Sequence, residues 1–314
     1  MPISVRRWDL AAELDPRYRG LVLEVAESAR SALMVQIAPP ELLRIQQSGT
    51  TLISARIESG WYGVNWVRHR PVTPVIAPIT SAEAEQLGAD LMRWAHHFTT
   101  ALVGSEHGPL GRGRWTIRPV ALRGGMTPSR QRDEVGCDIA YWEPEVGWNA
   151  ENGYIDWGSI GAAAVLPLRH PSPPDSSRPK AFTKMARAAV LPPVLLWWVS
   201  GLDCWLVIDG HDRLTAALAA NVAPPILGLQ RLSRHSHTRT DAETAHWYQE
   251  QMEKADARGD LTDAAVAGLG EALANTVAHT HLSGRTACEP IPGGADEWRR
   301  EARNHKPRWQ PAWG

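Results

Sequence analysis

Five consecutive residues, Asp209-Gly210-His211-Asp212-Arg213, put two carboxylates, an imidazole and a guanidinium between two apolar runs. The first run, Cys204 to Ile208, is too short for a helix and reads as a strand. The second, Leu214 to Ala220, has strong helix propensity. A buried strand that passes through a glycine turn into a helix gathers backbone N–H donors and the positive dipole end at one point. An arginine in the first helical turn opposes that dipole, so helix stability does not account for Arg213, whereas a bound anion does. Anion binding is the chemistry this turn points to. With Asp209 or Asp212 binding metal or activating a hydroxyl, and His211 as polariser or proton carrier, it extends to phosphoryl transfer, which needs charge neutralisation and positioning more than covalent chemistry. Asp209 has a second reading as a plain cap, since an Asp between strand and helix often just satisfies backbone N–H groups.

A second group lies upstream. Lys180, Thr183, Lys184 and Arg187 fall on one stripe of a helix, and the stripe holds two of the chain's four lysines. A basic surface face is the alternative. The extra carboxylate of Asp212 costs electrostatically in a phosphate site unless a cation offsets it, and Mg2+ bridging to phosphate would do so.

Other candidate groups carry less. His235-x-His237 and His279-x-His281 look like fragments of a metal site, but neither has a carboxylate or cysteine at companion spacing, so no metal-ligating residue is assigned. His96 and His97 read as partly exposed helix residues. The loop GSEHGPLGRGR (104–114) lacks GxGxxG spacing and a following P-loop lysine. Glu143 and Glu145 could form an acid–base pair or simply line a solvated loop. No G-x-S-x-G elbow and no HExxH occurs.

The elements that must position the turn follow from the same patterns. Ala162 to Leu168 is strand-like; the proline-rich connector 170–179 leads to a helix over 180–189. Val194 to Val199 is a strand, Ser200-Gly201 a turn, and Pro224-Pro225 opens a strand over Ile226 to Leu229. Further upstream, helical periodicity covers 20–37, and a short helix is expected over Glu41 to Gln47. Thr51 to Glu58 and Trp61 to His69 form a strand pair about Ser59-Gly60, and Thr73 to Ile79 is a further strand. Ser81 caps a long helix reaching Val103, and Arg114 to Leu122 is a strand. The segment 123–136 reads as a polar, mobile loop, and Ile139 to Trp142 as a short strand. Two helices are expected between Asp241 and His281, and beyond Ser283 an extended or wrapping tail.

The whole chain sets the limits. At 314 residues, two domains and a tail are the natural expectation: 1–150, a mixed α/β region; 151–232, around the turn; and 233–314, a helical segment and tail. The fold class is α/β of the mixed α+β kind. A net charge of −1 argues against a broadly basic nucleic-acid surface. Three well-separated cysteines, Cys137, Cys204 and Cys288, argue against a disulfide framework, and the N-terminus lacks the apolar core of a signal peptide. With mean hydropathy −0.30 and no run of bilayer length, a cytoplasmic location and no membrane association are expected.

The order of elements over 162–229, with VIDGHDRLTAAL and the Pro-Pro strands, resembles the ParB/sulfiredoxin-like domain shared by ParB N-terminal domains, sulfiredoxins and free serine kinases. VIDGHDRLTAAL is similar to the strand–DGHHR–helix motif of stand-alone members, and PKAFTKMARAAVLPPVLLWW to the sulfiredoxin segment that begins with a phosphate-binding lysine. The resemblance implies that Gly210, His211, Asp212 and Arg213 form the phosphate-facing turn. It further implies that Lys180 holds nucleotide phosphate, with Thr183 and Arg187 on the same face. Departures narrow this. His211 stands where sulfiredoxins place their reactive cysteine, which excludes sulfinic-acid reduction through that position. ParB proteins carry GERR, and Asp212 replaces the second histidine of DGHHR.

Three functions stay open. A nucleotide-dependent kinase would use ATP or ADP with Mg2+ and a small hydroxyl substrate such as free serine. A ParB-like switch would bind a nucleotide such as CTP without turnover, with or without DNA. Residues 242–282 are acidic, so DNA reading through them is disfavoured. A degenerate domain would serve a protein partner, through its tryptophan-rich first half and Arg/Trp tail.

Overall fold

The computed structural model describes residues 5–9, 20–26, 31–58, 63–120, 152–156, 164–232, 241–259, 262, 266 and 286–307. The chain divides into two compact units, one of residues 1–231 with 286–314, the other of residues 232–285. The second unit contributes one long described helix, Asp241–Ala257.

The larger unit is a mixed α/β structure of two sheets. Its strands are β1 (Val5–Asp9), β2 (Leu21–Val25), β3 (Leu33–Ala38), β4 (Leu42–Gln47), β5 (Thr50–Glu58), β6 (Gly63–Arg68), β7 (Gly113–Pro119), β8 (Asn152–Asp156), β9 (Val165–Pro167), β10 (Val194–Val199), β11 (Cys204–Asp209), β12 (Ile226–Leu232) and β13 (Cys288–Pro290). One sheet has the order β1-β2-β7-β12-β10-β11-β9, the other β13-β3-β4-β5-β6-β8. Strands from both sides of the boundary expected near residues 145–158 therefore share each sheet. β10 pairs with β12 in parallel and with β11 antiparallel, and β11 pairs with β9 in parallel. One apolar core joins the two sheets, drawing Leu23, Trp115, Trp197 and Leu206 from the first and Leu43, Ile53 and Trp66 from the second. Trp94 and Phe98 of α2 (Leu91–Val103) enter the same core.

The strand–helix–strand order around the turn agrees with the sequence reading. α3 (Ser177–Arg187) precedes β10, and α4 (His211–Ala219) lies between β11 and β12. The expected strand pair is present as β5 and β6.

Four expectations are corrected. Residues 20–37 hold two strands, not a helix. In β2, Leu21, Val22 and Leu23 are all buried, and continuous burial on both faces removes the alternation that marks a half-buried strand. Residues 41–47 form β4, whose cross-strand pairing with β3 and β5 overrides the helix propensity of Glu, Leu and Gln. Residues 73–79 join no sheet, and the expected long helix is two. Thr80, not Ser81, caps α1 (Ser81–Leu87) in a capping box with Glu83; Gly88 ends it at φ 60°, and Asp90 caps α2.

The tail takes the wrapping form, one of the two expected of it, and adds a helix that its composition did not suggest. Thr286 exchanges hydrogen bonds with Ser200 in the β10–β11 turn, at 2.9 and 3.0 Å. β13 then adds to β3, and α6 (Gly294–His305; α5 being Asp241–Ala257) packs Trp298 and Ala302 beside Ile291 and Ala38. Trp298 donates its indole N–H to the Leu43 carbonyl at 2.8 Å, and Arg44 pairs with Glu301 at 2.8 Å. The wrapping is a strap anchored by buried apolar contacts. The segments 123–136 and 139–142, Glu143, Glu145 and the two His-x-His pairs lie outside the described residues.

Candidate functional site

The apolar run of β11 is buried along its length and delivers Asp209 to the sheet's end. Gly210 then adopts φ 92°, a conformation that glycine takes at no steric cost. A Cβ there would lie 2.8 Å from Nη2 of Arg213, so the guanidinium fills the space a side chain would need. Arg213 is 1% exposed. Its Nη2 donates to the Pro193 carbonyl at 3.0 Å and forms a short ion pair with Asp209. The anion inferred from an arginine in the first helical turn is thus present, but it is the chain's own Asp209.

Asp212 is likewise held from within. The Ser172 N–H donates to its Oδ1 at 2.7 Å and the Ser172 hydroxyl to Oδ2 at 3.1 Å. Arg169 reaches Oδ2 at 3.3 Å and Arg178 at 3.9 Å. Burial alone would raise its pKa, but the Ser172 N–H, the Arg169 charge and the two side-chain hydrogen bonds outweigh it and lower the value. Asp212 is therefore ionised at neutral pH.

His211 is 2% exposed. One ring nitrogen bonds the Val207 carbonyl, and Nε2 has no hydrogen-bond partner among the described residues. Burial, and then the charges of Arg169, Arg68 and Arg213, push its pKa well below the usual imidazole range. The ring is thus neutral, with Nδ1–H on Val207 and a lone pair on Nε2. A neutral, buried imidazole is a poor proton carrier near pH 7.

Around this turn stand cations from three other places. Arg68, at the end of β6, donates to the Pro167 carbonyl at 2.7 Å. Arg169 follows β9, with its side chain 30% exposed, and Arg178 opens α3, with its side chain 47% exposed. The N-cap of α4 is Gly210, which has no side chain to cap it, and among the described residues no other side-chain cap is seen. The result is a helix N-terminus flanked by two arginines with room to move, above carboxylates that are already neutralised.

The stripe predicted on α3 does not meet this turn. α3 packs Phe182 and Ala186 against Ala216 and Ala217 of α4. Lys180 is exposed, 4.0 Å from Asp175. The Thr183 hydroxyl donates to Pro179 in its own helix at 2.9 Å, and Arg187 is exposed. No hydrogen bond or ion pair links these three to residues 209–213 among the described residues. The α3 residue that reaches the turn is Arg178. It was missed, with Arg169 and Ser172, because a Pro/Ser-rich connector reads as a linker. Arg68 gave no local signal at all.

Among the described residues no group of three His, Cys, Asp or Glu could hold a metal. Asp209 and Asp212 do not fit Mg2+ while their arginine pairs are intact. Cys204 is buried beside Asp203, which raises its thiol pKa and leaves it unreactive. His97 packs edge-on against Trp94 at 5.4 Å, a packing role. The described helices include none long and apolar enough to cross a membrane.

No protein family model matches the chain, and no curated protein matches it significantly. The class that fold and site define is thus a mixed α/β protein with an arginine-flanked helix N-terminus.

Proposed function

We propose that this protein binds the phosphate of a nucleotide at the Gly210–Arg213 turn, in a ParB/sulfiredoxin-like domain over residues 162–229. The observation that carries the reading is the pair Arg169 and Arg178, part-exposed beside the uncapped N-terminus of α4. Backbone N–H groups of the first turn and the two guanidiniums are the donors. Gly210 and the buried Arg213–Asp209 pair shape the turn. Lys180 and Arg187 add a positive approach along α3 without touching the group. The strand, proline loop, helix, strand pair, turn, helix and strand of residues 165–232 support the ParB/sulfiredoxin-like reading.

Two uses of a bound nucleotide follow. In the first, ATP or ADP with Mg2+ donates a phosphoryl group to a small hydroxyl substrate such as free serine, and Asp209, Asp212 or His211 assists. In the second the nucleotide, CTP included, is a switch without turnover. The pairing of Asp209 with Arg213 and of Asp212 with Arg169 favours the second, since neither carboxylate is left to act as base or metal ligand. A DNA or protein partner would then respond to the bound state, although Glu250, Glu253 and Asp256 on the helix Asp241–Ala257 disfavour DNA there.

The test is to incubate the protein with Mg2+ and ATP, ADP or CTP, with and without serine and threonine, following nucleotide binding and consumption. Binding without loss supports the switch. Phosphorylated product that disappears in Arg178→Ala supports the kinase. No binding of any of the three nucleotides refutes the proposal.

A further inference from the structure

A buried polar atom without a partner is expensive, and such atoms are rare in native proteins. At the turn there are two. Nε2 of His211 and Nε of Arg213 both lie out of water without a hydrogen bond among the described residues. The Arg213 Nε is a donor on a group otherwise satisfied by Asp209 and Pro193. The His211 Nε2 differs, because with Nδ1–H committed to the Val207 carbonyl it can only accept. An acceptor set among guanidiniums, at a site that otherwise offers donors, calls for a ligand that is an anion and yet brings a proton of its own.

We propose that this site selects oxyanions bearing an acidic O–H, namely inorganic phosphate and the singly protonated terminal phosphate of a monoester, over oxyanions that have none. The inference rests on the phosphate-binding reading of the same turn. The anionic oxygens take Arg169, Arg178 and the first-turn N–H groups of α4. The P–O–H donates to Nε2 of His211. Nε2 is closed to solvent in this structure, so binding requires the part-exposed Arg169 and Arg178 to move when the anion arrives.

Sulfate is the sharpest comparison. Near pH 8 it matches hydrogen phosphate in charge and shape and lacks only the proton. A fully ionised oxyanion leaves the His211 lone pair unpaired, whereas one bearing an O–H gains that bond, a difference of about tenfold or more in affinity. Inorganic phosphate keeps a proton far above neutral pH, whereas a phosphomonoester loses its last one near pH 6. Phosphate affinity should therefore stay nearly level between pH 5.5 and 8, while that of phenyl phosphate falls.

The groups facing His211 do not supply that slope. Arg68, Arg169 and Arg213 are guanidiniums, and Asp209 and Asp212 are paired with arginine. His170, exposed beside Arg169, is controlled by His170→Gln.

The experiment is calorimetric titration of the full chain with phosphate, sulfate and phenyl phosphate at pH 5.5, 7 and 8. Expected is phosphate binding at least about tenfold tighter than sulfate at pH 8, with phenyl phosphate weakening as pH rises. In His211→Phe the two inorganic anions should bind alike. Equal binding of phosphate and sulfate by the wild-type chain overturns the selectivity while leaving the phosphate site standing. Binding of neither anion overturns the site and the selectivity together. The wild-type comparison decides the matter even if His211→Phe does not fold.

Discussion

Substituting Arg213 by alanine separates a structural arginine from a ligand-binding one. The side chain is 1% exposed and is the partner of both the Pro193 carbonyl and Asp209. Removing one member of a buried ion pair costs ~3–5 kcal/mol, because the other is left uncompensated. Asp209 keeps about a fifth of its side chain in water, 21%, which softens that term, while the vacated volume beside Gly210 adds a cavity term. A net loss of about 3 kcal/mol is expected, or roughly 6–12 °C in Tm for a unit of this size. Arg178→Ala should do the reverse. Its half-exposed contact with Asp212, at 3.9 Å, is worth less than ~1 kcal/mol, so Tm should move by no more than about 4 °C while anion affinity falls. The assay is thermal unfolding followed by fluorescence, paired with phosphate titration. A double variant, Asp209→Leu with Arg213→Met, removes both charges and should recover most of the stability lost by Arg213→Ala. Unchanged Tm with abolished phosphate binding in Arg213→Ala would refute the reasoning and make Arg213 the ligand that the sequence suggested.

Three further outcomes follow from the same contacts. Gly210→Ala forces a side chain into φ 92° and against the Arg213 guanidinium, and should cost ~2–4 kcal/mol, read as a lower denaturant midpoint; a neutral effect would contradict the observed turn. His69, whose pKa burial and then the nearby His305 lower to about 4, and His211, whose pKa burial and then the Arg169 charge push well below the usual imidazole range, are neutral when folded. Below pH 6.5 the unfolded chain binds protons that the folded one does not, so stability should fall as pH drops towards 4, with at most ~1.4 kcal/mol per pH unit for each histidine and less for the partly wet His69. Asp212 adds to this only below about pH 3.8, and a Tm that is flat from pH 7 to 4 would contradict the contribution of both histidines. Trp298→Ala removes a buried indole and its bond to Leu43, and should cost ~3–5 kcal/mol and raise hydrogen exchange over residues 286–307; exchange unchanged there would mean the strap is held by β13 alone.

Much of the region around the turn was legible because its signals are local. Short apolar runs cut by Ser200-Gly201, Gly210 and Pro224-Pro225 mark β10, β11, α4 and β12 with little ambiguity. Residues 20–47 misled for the opposite reason. Two short buried strands, with the polar stretch ESARS between them, mimic helical spacing, and only pairing with β7 and β4 identifies them as strands. For the tail, wrapping was legible but its anchors were not, because its composition is polar while Ile291 and Trp298 find their partners on β3 and β4 far back in the chain.

By itself, then, the sequence determined that a strand, a glycine turn and a helix would place Asp209, His211, Asp212 and Arg213 together, since those residues are adjacent and their periodicity is their own. Only the tertiary structure decided which way each one faces. Packing of Phe182 and Ala186 on Ala216 and Ala217 turns Arg178, not Lys180, Thr183 or Arg187, towards the turn. Burial commits Arg213 to Asp209 and closes Nε2 of His211 to water, and sheet pairing carries Arg68 and Arg169 alongside. Such choices depend on long-range contacts and on desolvation, which no local spacing encodes.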